Sequence, residues 1–131
     1  MLHILIADHD EHIRIELGQA LEELGHEVTY APNGEMAVQI FKARAFDLVY
    51  MDLEMPVKNG LVAIQEIRKD FPHALIIAHT EKDPENIDVA LEYGAAKAVQ
   101  CPCEPQSLVD MIDEVMAMER KSGWGDAPLP D

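Results

Sequence analysis

The stretch "LHILIADHDEHIRIELGQALEELGHEVTYA", residues 2–31, decides the fold. It opens on an apolar run, Leu2–Ala7, that stops abruptly at Asp8-His9-Asp10. It closes on a second run, Glu27–Ala31, with β-branched and aromatic members. Both runs have the length and composition of strands. Between them Ile13, Leu17, Leu21 and Leu24 recur at steps of four, four and three, which makes one apolar stripe along a helix. Asp10 can cap the start of that helix, and Gly25 can take the left-handed turn at its end. A strand, a helix and a strand so joined make a parallel βαβ unit with a right-handed crossover.

The pattern repeats along the chain. Further strand-like runs are "DLVYM" (47–51), "ALIIAH" (74–79) and "AKAVQ" (96–100). The first two of these are apolar almost throughout, as strands buried on both faces are. Met36, Ile40 and Phe41, after Asn33-Gly34, mark a second helix. Leu61, Ile64 and Ile67 mark a third, which stops before Phe71-Pro72. A fourth is predicted to start at Asp83-Pro84 and end at Gly94. The fifth runs from Glu104-Pro105 through Leu108, Ile112 and Val115 to about Arg120. The alternation predicts an α/β protein of (βα)5 type: a three-layer α/β/α sandwich around a five-stranded parallel sheet. Residues 1–120 are expected to form this domain, and 121–131 a flexible tail or linker stub.

Composition narrows the function. The 131 residues are 48% apolar, enough for one core without metal or disulfide staples. Ten Lys and Arg against 25 Asp and Glu leave a net charge of -15, which argues against nucleic acid and against a membrane surface. No apolar run approaches the roughly 20 residues of a transmembrane helix. The N-terminal run is short and meets acids, so it does not read as a signal peptide, and a cytoplasmic protein is expected. Cys101 and Cys103 are so close in sequence that they are not expected to bridge each other.

In an open parallel sheet, ligands bind beyond the carboxyl ends of the strands. The residues found there are Asp8-His9-Asp10, Asp52, His79-Thr80 and Gln100-Cys101-Pro102. Carboxylates sharing a crevice raise each other's pKa unless a cation joins them. Hard oxygen ligands with room for water suit Mg²⁺.

Several segments carry a resemblance: "DLVYMDLEMPVKNG" (47–60) above all, with "LGHEVTYAPNGEMA" (24–37), "IIAHT" (76–80) and "ALEYGA" (90–95). Over about residues 2–118 the chain resembles a two-component response-regulator receiver domain, of flavodoxin-like fold. The resemblance implies strand order 2-1-3-4-5. It implies a phosphorelay protein that is no enzyme beyond its own phosphorylation and dephosphorylation, with a histidine kinase or phosphotransferase as partner. Asp52 matches the phosphoacceptor, whose chemistry needs a carboxylate nucleophile and a cation beside the phosphoryl oxygens. Thr80 matches the hydroxyl that hydrogen-bonds the phosphoryl group. Asp8, Asp52 and the backbone carbonyl of Glu54 match Mg²⁺ ligands.

Three positions depart from the family. His9 stands where the second acid of the metal-binding pair is usual, Cys101 where a lysine is near-invariant, and Ala98 where the switch aromatic is usual. Losing one preorganised donor to a developing oxyanion costs about 3–4 kcal/mol, or some hundreds-fold in rate. Phosphoryl acceptance at Asp52 is therefore expected to be impaired. One alternative is a pseudo-receiver, an interaction module independent of phosphate. Another is a transition-metal (Zn²⁺-type) or redox sensor built on His9, Asp52 and Cys101.

The remaining expectations concern neighbours of the crevice. His79 should point to the sheet face opposite Thr80, as a structural histidine. Glu54 and His12 should be exposed, and Cys103 should serve packing. The family implies a cis Cys101-Pro102 bond. Helix 5 carries more apolar residues than one stripe needs, with Val109, Met116 and Met118 as candidates for a surface patch. A homodimer through helix 4, strand 5 and helix 5 would use it.

Overall fold

A computed structural model describes residues 1–121, the side chains of 119–121 excepted. Residues 122–131, most of the segment expected to be a tail, lie outside the described residues. The elements alternate throughout: β1 (His3–Ala7), α1 (Glu11–Glu23), β2 (Glu27–Ala31), α2 (Gly34–Ala43) and β3 (Leu48–Asp52), then α3 (Gly60–Asp70), β4 (Ile76–Thr80), α4 (Asn86–Glu92), β5 (Lys97–Gln100) and α5 (Pro105–Lys121). The strands form one parallel sheet in the order β2-β1-β3-β4-β5.

Burial follows the strand patterns. β3 and β4 are buried at every position, and both lie inside the sheet. β2 and β5, at the edges, are only partly covered. Alternate residues of each strand serve opposite layers. Leu5, Ala7, Val49, Met51, Ile76 and Ala78 pack with Val38 and Phe41 of α2 and Ile64 and Ile67 of α3. Ile4, Ile6, Leu48, Tyr50 and Ile77 pack with Leu17 and Leu21 of α1 and with Leu108, Ile112 and Val115 of α5. Each fully buried Ile or Leu contributes about 1.5–3 kcal/mol through water excluded from it.

The helix ends follow their capping residues, with two exceptions. The Asp10 side chain accepts from the His12 amide at 2.9 Å, and Gly25 takes a positive φ of 92° after α1. Asn33 and Asn59 cap α2 and α3 in the same way. The first exception is α4, which begins at Asn86 and not at Asp83-Pro84. Asp83 and Pro84 instead form turns that precede it, their carbonyls accepting from the Asn86 and Ile87 amides. The second is Leu24, the last member of the α1 stripe. It is the C-cap, already turning away from the sheet, and is exposed. In α5, Val109 is buried and Met116 packs on the core, leaving Met118 as the exposed member of the expected patch.

Candidate functional site

The carboxyl ends of β1, β3 and β4 converge on one crevice. Parallel pairing sets Asp52 level with His79 and brings the end of β1 alongside β3. Alternation then turns Asp8, Asp52 and His79 toward the α1/α5 side, with Asp8 and Asp52 each 1% exposed and His79 2%. Each of the three offers a ligand atom within 4.8 Å of the others.

Short-range bonds hold these groups in place. The Asp8 carboxylate accepts from the Asp10 amide at 2.9 Å, so the same short turn that caps α1 also orients Asp8. The other Asp8 oxygen lies 2.7 Å from His79 Nε2. Asp52 Oδ1 accepts from the Glu54 amide at 2.9 Å and lies 3.9 Å from His79 Nε2. His9 covers the remaining oxygen: its ring Nδ1 donates to Asp52 Oδ2 at 2.5 Å. Burial, and then the charge of Asp8, push the Asp52 carboxyl above the usual carboxylate range. The bond to Asp52 pushes the His9 imidazole above its ordinary value. Tyr50 lies under the crevice with its ring stacked on that of His79, centroids 4.8 Å apart and planes 10° apart.

The loop after β3 needs its glycine here. A side-chain carbon on Gly60 would fall 2.2 Å from the Asp52 carbonyl oxygen, well inside contact distance. The Gly60 amide donates to the Leu53 carbonyl at 3.1 Å, tying the start of α3 to the end of β3. Lys58 ties the same loop to both flanking helices, with Glu35 at 2.8 Å and Glu66 at 2.6 Å. Val57 carries the strain of the turn, at φ 69° in the left-handed region.

On the β4 side, Thr80 and Glu81 both face Glu54. Thr80 Oγ1 donates to the Glu54 carboxylate, and the Glu81 amide donates to its other oxygen at 2.9 Å. Thr80 Oγ1 also accepts from the Asp83 amide at 3.1 Å. Glu54, expected to be exposed, is half-buried because these two donors draw it inward.

A further expectation is corrected. Cys101 and Cys103 are joined as a disulfide, their Cα atoms 4.7 Å apart. The chain reverses through Pro102, on a cis bond as expected, and this brings two sulfurs together that an extended strand would hold apart. Cys101 is thereby taken out of a thiolate ligand set, and the group His9, Asp52 and Cys101 does not assemble. Its sulfur lies 4.0 Å from the Tyr50 hydroxyl instead. His79 points away from Thr80, as expected, and that direction brings its Nε2 to within 2.7 Å of Asp8 Oδ2 in the crevice. The signal was present in the sequence: a histidine one residue before the end of an otherwise apolar central strand. His12 is exposed, as expected, and pairs with Glu16 at 3.2 Å.

Comparison with known proteins decides the family. The pattern described as "Response regulator receiver domain" matches residues 4–113. The chain belongs to the response-regulator receiver domain family. It is 33% identical to the chemotaxis protein CheY of Thermotoga maritima over 86% of its own length and 95% of that protein's. It is 35% identical to the probable transcriptional regulator ycf27 of Cyanidium caldarium, over 87% of this chain but 46% of that one, so it spans about half of that relative. The CheY-like receiver structure from Methanospirillum hungatei aligns over 92% of this chain and 98% of its own, with TM-score 0.86 and 28% identity. This receiver thus has the CheY-like order of strands, and its family works in two-component signalling, accepting phosphoryl groups and binding Mg²⁺ at the acidic pocket. No helix among its described residues is long and apolar enough to cross a membrane.

Proposed function

We propose that the chain is a phosphorelay receiver whose phosphoacceptor is Asp52 and whose chemistry is held back by its own neighbours. The observation that carries this reading is the placement of Asp52 at the carboxyl end of β3, buried, with its carboxylate oxygen within 4.8 Å of an Asp8 oxygen. Asp8 and Asp52 supply two buried carboxylates that fit a hard dication, and the motif adds the Glu54 carbonyl. When bound, Mg²⁺ would neutralise the phosphoryl oxygens.

Three contacts act against the transfer. His9 hydrogen-bonds the oxygen of Asp52 that Glu54's amide leaves free, so the nucleophile must shed that partner before attack. The Glu54 carboxylate occupies the Thr80 hydroxyl, the donor a phosphoryl group would use, and is held there by the Glu81 amide. Cys101 puts no cation where the family has a lysine. A histidine kinase or phosphotransferase is the expected donor, and a homodimer through α4, β5 and α5 the expected assembly, in the cytoplasm. The domain proposed is residues 1–120.

A second reading is favoured by the Glu54 contacts. An internal carboxylate already sits on the Thr80 hydroxyl, as a permanent anion would, which suits a pseudo-receiver that signals without phosphate.

Incubation with Mg²⁺ and acetyl phosphate, followed by intact mass measurement, separates the two. The receiver reading expects an adduct of one phosphoryl group that is absent from Asp52→Asn. No adduct in the wild type at high Mg²⁺, with no beryllofluoride-induced shift at Thr80, leaves the pseudo-receiver.

A further inference from the structure

We infer that the Cys101–Cys103 disulfide is a thiol–disulfide exchange site, opened by a dithiol at the Cys103 sulfur with Cys101 as the leaving sulfur, and closed again without refolding. The inference goes beyond phosphoryl acceptance and does not depend on it.

The first support is that the bond holds nothing the fold has left loose. It joins residues two positions apart and encloses Pro102 alone. A cross-link stabilises by the chain freedom it removes, which is least in so small a ring. The junction it spans is already held on both sides. The Cys101 amide donates to the Thr80 carbonyl at 2.9 Å, and the Ser107 and Leu108 amides donate to the Glu104 carbonyl at 3.0 and 3.3 Å. Leu108, Val109 and Ile112 then bury the first turns of α5. The bond is therefore superfluous as a staple.

The second support is that each sulfur faces a partner for its reduced form. The Tyr50 hydroxyl lies 4.0 Å from Cys101 Sγ. A disulfide sulfur carries no hydrogen, so the hydroxyl is the donor, and it serves a departing thiolate better than a neutral sulfur. Cys103 Sγ lies 3.4 Å from the Gln100 carbonyl oxygen, which can accept the hydrogen of a thiol. Both sulfurs are thus provided for when the bond opens.

The third support is unequal access. Cys101 is 7% exposed, whereas Cys103 is half-buried between the exposed Pro102 and Glu104. A thiolate attacks the sulfur it can reach. One thiolate of the dithiol bonds to Cys103 Sγ as the Cys101–Cys103 bond breaks. The electron pair of that bond leaves on Cys101, which then takes a proton from water. The second thiolate of the dithiol attacks its partner sulfur in the mixed disulfide. The reductant closes as a cyclic disulfide, and Cys103 is released and protonated. The protein gains two electrons and two protons, and the dithiol loses the same. Exchange with a disulfide oxidant runs the steps in reverse.

The test uses the full chain in its native state. It is treated with dithiothreitol, alkylated with N-ethylmaleimide and weighed intact, with circular dichroism recorded beside it. Two alkyl groups are expected after dithiothreitol and none before, with an unchanged helical spectrum. Glutathione disulfide, added after the reductant is removed, is expected to return the unalkylated form. Cys101→Ser, which keeps Cys103, is expected to form a mixed disulfide with glutathione disulfide at least about tenfold faster than Cys103→Ser, which keeps the buried Cys101. If either variant does not fold, the rate at which each wild-type cysteine is alkylated after reduction, read by peptide mass, gives the same comparison. Three results overturn the inference: thiols that appear only after unfolding in urea, loss of the helical spectrum on reduction, or thiols that glutathione disulfide does not close. Faster reaction at Cys101 overturns the assigned order of attack.

Discussion

The two walls of the crevice are built on different terms. The wall from β1 and β3 carries two buried acids, Asp8 and Asp52, and the Gly60 turn that lets the loop close under them. The wall from β4 and β5 carries other groups: a histidine precedes Thr80, Glu54 reaches across to occupy Thr80, and a disulfide follows the end of β5. The difference shows which side chains meet the acids. With no lysine at position 101, the acids are paired by His79 from β4 and His9 from the β1 turn. Imidazoles are weaker and softer partners than an ammonium, and they are placed on different sides of Asp52.

The comparison can be broken most forcefully at position 101. Cys101→Lys restores a preorganised donor worth about 3 kcal/mol, so acetyl phosphate labelling of Asp52 should accelerate by some hundreds-fold. An unchanged rate would mean that the second wall does not limit the chemistry. The intact wall is tested by Gly60→Ala, which drives a carbon into the Asp52 carbonyl. A loss of about 2 kcal/mol in urea unfolding is expected, along with lower labelling of whatever remains folded. Glu54→Gln weakens the hold on Thr80 and Glu81, and labelling should rise about tenfold, or 1.4 kcal/mol. A fall would instead make Glu54 a helper of the transfer.

The smallest effect is a titration. The bond to Asp52 holds the folded-state His9 pKa above its ordinary 6.5. The stabilisation from this pair is therefore fully present below the unfolded value and is lost as pH rises through the folded one. An NMR titration of His9 should show the raised value in the wild type and a lower one in Asp52→Asn. The same value in both would detach His9 from the acceptor.

Much of this was legible along the chain because parallel strands and amphipathic helices write themselves in local periods. The runs at 2–7 and 47–51 and the caps Asp10, Asn33 and Asn59 needed only neighbours within a few residues. The start of α4 was harder, since Asp83-Pro84 suits a first turn and a preceding turn equally, and the bonds to Asn86 and Ile87 decide between them. Asp8, Asp52 and Thr80 were readable as strand-end residues. The role of Glu54 was not, because its partners lie 26 and 27 residues away on another strand end.

By itself, then, the sequence determined the layers, the strand alternation and the list of chemical groups at the crevice, since hydrophobic period and turn chemistry are local properties. The sheet decided who meets whom. Register set His79 beside Asp52 and turned it toward Asp8, which converted a core histidine into a member of the acidic cluster. The turn at Pro102 closed Cys101 on Cys103 and removed it from that cluster. Such pairings join residues 43 and 71 positions apart, as His9 with Asp52 and Asp8 with His79. No local pattern encodes them, because they exist only once the strands are laid side by side.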